Sequence, residues 1–198
     1  MENGVDWEHR ALTEDAADVV SCLAQHYSRF WGKPKDLFEP PERNTRVEPL
    51  PASFRILKFR SGSKRCWIYA TAGVGPPAPV ELHLMSPVED DHTYVESLSA
   101  VAHYHIFGRT LQLGDSVNLG RPWLPDASCS HCLLSLPYLD GPDLEVCNTA
   151  ELTIRCLWLI PVTVQELEFR REFGTNALEE RFEASAFNYL NPTRPSVI

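Results

Sequence analysis

The stretch LTIRCLWLIPVTVQELEFRREFG, Leu152–Gly174, decides how this chain is read. Its first part alternates. Leu152, Ile154, Cys156, Trp158 and Ile160 fall on one face of a strand, and Thr153 and Arg155 fall on the other. Pro161 has no N–H for a ladder and is expected to close the strand. Thr163 and Glu166 then stand at capping-box spacing and open a short helix to about Phe173, which Gly174 breaks.

Upstream, three more strands are expected at Phe54–Phe59, Cys66–Ala72 and Val80–Met85. Val80, Leu82 and Leu84 of the third face one way, Glu81 and His83 the other. The connections RSGSKR and GVGPPAP are short, which favours an antiparallel meander. A helix is expected over about Thr93–Phe107. Thr93 and Glu96 form its capping box, Val95, Leu98, Ala102 and Ile106 its buried side, and Gly108 its end. Further strand signals lie near Thr110–Leu113, Ser116–Leu119, Cys132–Leu136 and Leu144–Cys147. A last helix spans about Asn176–Tyr189, with Leu178, Phe182, Ser185 and Tyr189 at helical spacing, and the tail NPTRPSVI is expected to be loose. At the other end, Thr13 is placed to cap a helix to Trp31 with the stripe Ala17, Val20, Leu23, Ala24, Tyr27 and Trp31, stopped by Gly32 and Pro34. Residues 33–53 hold five prolines and are expected to run as an extended surface loop. The pattern is α+β: a single domain with a largely antiparallel mixed sheet and helices packed on it. It divides into residues 1–53 (helix and Pro-rich loop), 54–191 (the domain proper) and 192–198 (tail).

The 198 residues suffice to bury about 70% of the surface of the unfolded chain, so folding needs no metal or disulfide. The start, MENGVDWEHR, has no apolar leader segment, and no apolar run approaches the roughly 18 residues of a membrane span. A cytoplasmic protein with reduced thiols is the expectation. The net charge of −9 lacks the basic footprint of a nucleic-acid binder and suits a basic partner.

Cys129-Ser130-His131-Cys132 has the look of half a zinc site or a redox dithiol. A structural zinc site needs a second ligand pair, which is absent in the sequence. A strand follows, so His131 and Cys132 point to opposite faces, and no helix N-terminus is there to activate a thiol. GVGPPAP fails as a phosphate loop because Pro76 and Pro77 offer no N–H. His103 and His105 diverge on a helix, and the run Glu89–His92 reads as a helix cap.

Taken together, CWIYATAGVG, VELHLMSP, YVESLSAVAHYHIF, LQLGDSVNLG, SHCLLSLPY, LEVCN and CLWLIPVTVQELEFRREFG, in this order between about Phe54 and Asn191, resemble the Suppressor of fused domain family. The resemblance implies an α+β domain without enzymatic activity or cofactor, in which SHCLL is scaffold around a strand. Eukaryotic relatives clamp a transcription-factor peptide between this domain and a second one, which is not expected here. Small bacterial relatives look like immunity proteins that neutralise a toxin. The leading expectation is therefore a protein-binding immunity protein against a basic toxin, such as a nuclease. Its candidate contacts are the loop acids Asp140, Asp143 and Glu145, the acids Glu89, Asp90 and Asp91, and Trp123 as an aromatic anchor. An exposed strand edge is a further place for a partner's backbone. A peptide-binding regulator of a cellular factor is the alternative. A metal-dependent hydrolase using Cys129, His131 or Glu89–His92 is the second alternative.

Overall fold

The structure, a computed structural model, describes residues 6–41, 48–75, 78–185 and 188–198, with side chains from residue 18 onward. In chain order its elements are α1 (Asp6–Trp31), β1 (Asp36–Phe38), β2 (Arg55–Ser61), β3 (Cys66–Ala72), β4 (Val80–Ser86), α2 (Asp91–Phe107), β5 (Ser116–Asn118), β6 (His131–Ser135), a 3₁₀ turn (Pro142–Leu144), β7 (Val146–Asn148), β8 (Thr153–Val162), α3 (Val164–Phe173) and α4 (Thr175–Ala184). The strands form one sheet in the order β1-β2-β3-β4-β8-β6-β5, with β7 on the first residues of β8. Every pairing is antiparallel except β4 with β8, where Val80–His83 stand beside Arg155–Trp158. The meander β2-β3-β4 is as the short turns require.

Alternation along each strand divides the apolar side chains into two layers. Leu57, Phe59, Ile68, Ala70, Ile154, Cys156, Trp158 and Ile160 meet Leu23, Tyr27 and Trp31 of α1, Leu167 of α3, and Leu178 and Phe182 of α4. Ile56, Tyr69, Leu82, Leu84, Leu134, Leu157 and Leu159 meet Tyr94, Val95, Leu98, Val101 and Ala102 of α2. Both faces of the sheet are covered, so β4 is buried along its whole length. Glu81 and His83 therefore lie in the core under α1. Each large apolar side chain so buried stabilises the fold by roughly 1.5–3 kcal/mol.

Several expectations need correction. α1 begins at Asp6, so Thr13 lies inside the helix rather than at its cap, and Ala17 lies outside the described side chains. The Pro-rich stretch contains the edge strand β1, whose Asp36–Phe38 pair with Lys58–Ile56. The cap of α2 is Asp90, whose carboxylate accepts from the Thr93 N–H, so Thr93 is the recipient and not the cap. No strand forms at Thr110–Leu113, because its N–H groups go to side chains: Leu111 to His105 Nδ1 and Gln112 to Asp115. β8 begins after the exposed Leu152 and continues through Pro161. β4 leaves β8 at Trp158, which provides an edge where a missing N–H costs no ladder bond. α4 ends at Ala184, with Ser185 as its C-cap, while Tyr189 packs beyond it on Trp158. The α3 capping box forms as read, with Thr163 and Glu166 each bonded to the other's backbone.

The tail is the largest correction. It is docked, with Pro192 O accepting from the Cys129 N–H, Arg194 O from the Ser128 hydroxyl, and the Arg194 guanidinium inserted beside Glu166.

Candidate protein-binding site

The loop from β6 to β7 runs along the C-terminal half of α1. Three contacts tie the two together: Trp31 Nε1 donates to Asp140 Oδ1 at 2.9 Å, His26 Nε2 lies 3.1 Å from Leu144 O, and the thiols of Cys22 and Cys147 meet. Between the ties a cleft of 530 Å³ opens, lined by His26, Arg29, Phe30, Asp143, Val146 and Asn148. His26 forms its floor. Burial, helped by Arg29, holds its pKa below the ordinary value despite the Leu144 carbonyl. The neutral ring donates through Nε2 to Leu144 and accepts at Nδ1 from the Arg29 guanidinium, 3.3 Å away.

The candidate residues separate by environment. Asp143 and Glu145 enter no ion pair among the described residues, and Asp143 is exposed on the cleft rim. Tyr138 and Leu139 are exposed on the same loop, and Val146 is exposed at the start of β7. Charge and apolar surface are thus combined on a short segment braced by α1, the mixture found at protein interfaces. Asp140 corrects the expectation of exposure: its side chain is 2% accessible and serves Trp31 and Lys64.

Glu89, Asp90 and Asp91 gather at the head of α2, but they are engaged. Lys58 Nζ donates to Glu89 and Asp91 and lies 4.7 Å from the Trp67 ring centroid, while the Tyr69 hydroxyl donates to Asp91. Burial works against charging Lys58, yet Asp91 and Glu89 raise its pKa. Burial likewise works against charging Asp91, yet Lys58 and Tyr69 lower its pKa. Trp123 is also corrected as an exposed anchor. It is 2% accessible, in the layer under α2, with Nε1 donating to His131 O at 2.7 Å.

Cys129 and Cys132 are buried free thiols, and burial pushes their pKa values up to about 11 and about 12. His131 turns to the Ser130 hydroxyl. No three His, Cys, Asp or Glu side chains among the described residues are grouped so as to hold a metal ion. A second, more apolar groove of 340 Å³ lies between α2 and the edge strand β5, lined by Val101, Tyr104, Val117 and Leu119 among others. No described helix is long and apolar enough to cross a membrane.

Sequence reasoning found the loop acids but not the cleft. Its one available sign was His26 and Phe30 at i, i+4 beside the core stripe; their rings stand 5.4 Å apart, edge to face.

A two-faced α+β domain with a docked tail and an acidic, apolar-tipped loop is the class these observations define. The family profile of Suppressor of fused protein matches residues 51–195, and the chain belongs to the Suppressor of fused family. A solved structure from Neisseria gonorrhoeae, assigned as a SUFU homologue, is similar at 29% identity and TM-score 0.77, over 91% of this chain and 97% of that one. The fold also matches the Sufu–Fu complex structure at 12% identity and TM-score 0.65, over 91% of this chain and 93% of that one. Drosophila Suppressor of Fused matches at 13% identity and TM-score 0.60, over 91% of this chain but only 50% of the Drosophila chain. No curated protein matches the sequence.

Proposed function

We propose that this chain is a non-enzymatic protein-binding domain that acts as an immunity protein, neutralising a basic toxin such as a nuclease by direct association. The observation that carries the reading is the pair Asp143 and Glu145, outside every ion pair among the described residues, on a loop that also exposes Tyr138 and Leu139 and leads into Val146 on the α1 cleft. Apolar side chains in the middle of such a face supply affinity, and unneutralised acids around them steer a cationic partner. The net charge of −9 extends the same bias over the whole surface. The likeness to a bacterial homologue over nearly the full length of both chains supports the bacterial role over regulation of a eukaryotic factor. That one related structure is a Sufu–Fu complex supports a protein as the partner.

The experiment is neutralisation in cells. A basic toxin domain encoded next to this chain is expressed alone and together with it. Restored growth with the wild-type chain, reduced by Asp143→Lys with Glu145→Lys in a folded variant, supports the proposal. Growth arrest that abundant, folded chain does not relieve overturns it.

A further inference from the structure

Cys22 and Cys147 are 125 residues apart in sequence, and their sulfurs lie 3.9 Å from each other. Cys22 sits on α1, one turn before His26. Cys147 is the middle residue of β7, between Val146 and Asn148, which line the cleft. Cys22 Sγ also lies 3.7 Å from Asn148 O, which holds the thiol over β7. Of the six cysteines, Cys22 is the only one not buried. A disulfide needs its sulfurs about 2.05 Å apart, so the two side chains must approach further, from a starting separation already near van der Waals contact.

We propose that Cys22 and Cys147 are a redox pair, which forms an intramolecular disulfide across the α1–β7 seam when the chain meets a peroxide. Cys22 is the entry point because solvent reaches it. Its thiolate attacks one peroxide oxygen; the S–O bond forms, the O–O bond breaks, and the departing hydroxide leaves as water with the proton of the Cys22 thiol. Cys147 then attacks the sulfenic sulfur. The S–S bond forms, the S–O bond breaks, and the second oxygen leaves as water with the Cys147 proton. Two thiols and one peroxide give one disulfide and two waters. Burial, then the adjacent Cys22, push the Cys147 thiol up to about 12, so the second step is slow near neutrality and accelerates as pH rises. A dithiol reductant reverses the reaction by two exchange steps. The bond would fix α1 to β7 and set the width of the cleft between them. This inference does not depend on the identity of the partner.

The test treats the full chain with hydrogen peroxide and reads intact mass and disulfide-linked peptides. The expected result is a loss of two hydrogen atoms, one peptide pair joining Cys22 to Cys147, a raised thermal midpoint, and full reversal by dithiothreitol. Cys22→Ser is expected to abolish the mass loss and the linked peptide, while Cys66→Ser keeps both. Oxygen additions at Cys22 without a cross-link, an intermolecular dimer through Cys22, a link between other cysteines, or an unchanged mass would each overturn the proposal. The linked peptide is read on wild-type protein, so the test does not require Cys147→Ser to fold.

Discussion

Arg194 in the C-terminal segment and Glu166 in the first turn of α3 form a two-pronged buried ion pair. Nη1 donates to Oε1 at 2.6 Å and Nη2 to Oε2 at 2.9 Å, with the side chains 6% and 0% accessible. Glu166 also accepts from the N–H groups of Thr163 and Val197, and Arg194 donates to Pro161 O. One carboxylate therefore caps α3 and fastens the tail to it.

Removing one member leaves the other charged and buried. Glu166→Ala and Arg194→Ala are each expected to lower unfolding free energy by about 3–5 kcal/mol, and the double variant by less than their sum, as read by urea denaturation. Burial would raise the Glu166 pKa, but Arg194 and the backbone N–H groups outweigh it and hold the carboxyl below 4.5. A depressed carboxyl contributes stability in full above its unfolded value and loses it as pH falls through the folded one. Wild type minus Glu166→Gln is thus expected to shrink only on the acid side of 4.5.

Glu81 and His83, two residues apart on β4 and both buried under α1, titrate in opposite senses. Burial raises Glu81 to about 7, opposed by the Thr71 hydroxyl and the N–H groups of Val74 and Gly73. Burial lowers His83 to about 3, and its ring nitrogens have no hydrogen-bond partner among the described residues. The Glu81 contribution is present below about 4.5 and is lost as pH rises toward 7. The His83 contribution is present above 6.5 and is lost as pH falls toward 3. Wild-type stability is expected to be nearly flat where the two overlap. Glu81→Gln keeps an acceptor for Gly73 and Val74, and is expected to exceed wild type by about 2–3 kcal/mol at pH 8 but not at pH 5. Chemical denaturation at the two pH values decides this; a pH-independent difference contradicts it.

Trp123 and Asp143 should separate stability from recognition. Trp123→Ala is expected to cost about 3–5 kcal/mol of stability, because the indole fills the layer under α2. Trp123→Phe, milder in volume, is expected to leave partner affinity unchanged. Asp143→Lys is expected to leave the thermal midpoint unaltered and to slow association about tenfold at low salt, with a smaller effect at high salt. Glu89→Gln should have less effect than Asp143→Asn, since Lys58 already offsets the acids at the head of α2. Denaturation checks the stability of each variant, and association kinetics at two ionic strengths check the effects on recognition.

Where local rules act alone, the sequence is a good guide. The strand expected at Cys66–Ala72 is β3 to the residue, and the Thr163–Glu166 box places the start of α3. Some failures are local, as where Asp90 takes the cap from Thr93, but the larger ones come from contact between residues far apart in the chain. The tail reads as loose because a Pro-rich octapeptide has no periodicity, and the partner that fixes Arg194 is 28 residues away. Asp140 reads as a surface residue because turn composition is polar, but Lys64 and Trp31 draw it inward. The cleft is not legible because α1 and the β7 loop meet across more than a hundred residues.

The most direct measurement is a titration of purified chain against a fixed amount of purified toxin, reading residual toxin activity. Neutralisation by association predicts a linear fall that ends at equimolar chain, with the toxin recovered unaltered in the complex. Complete neutralisation by a small fraction of an equivalent, or a covalently changed toxin, would contradict the account.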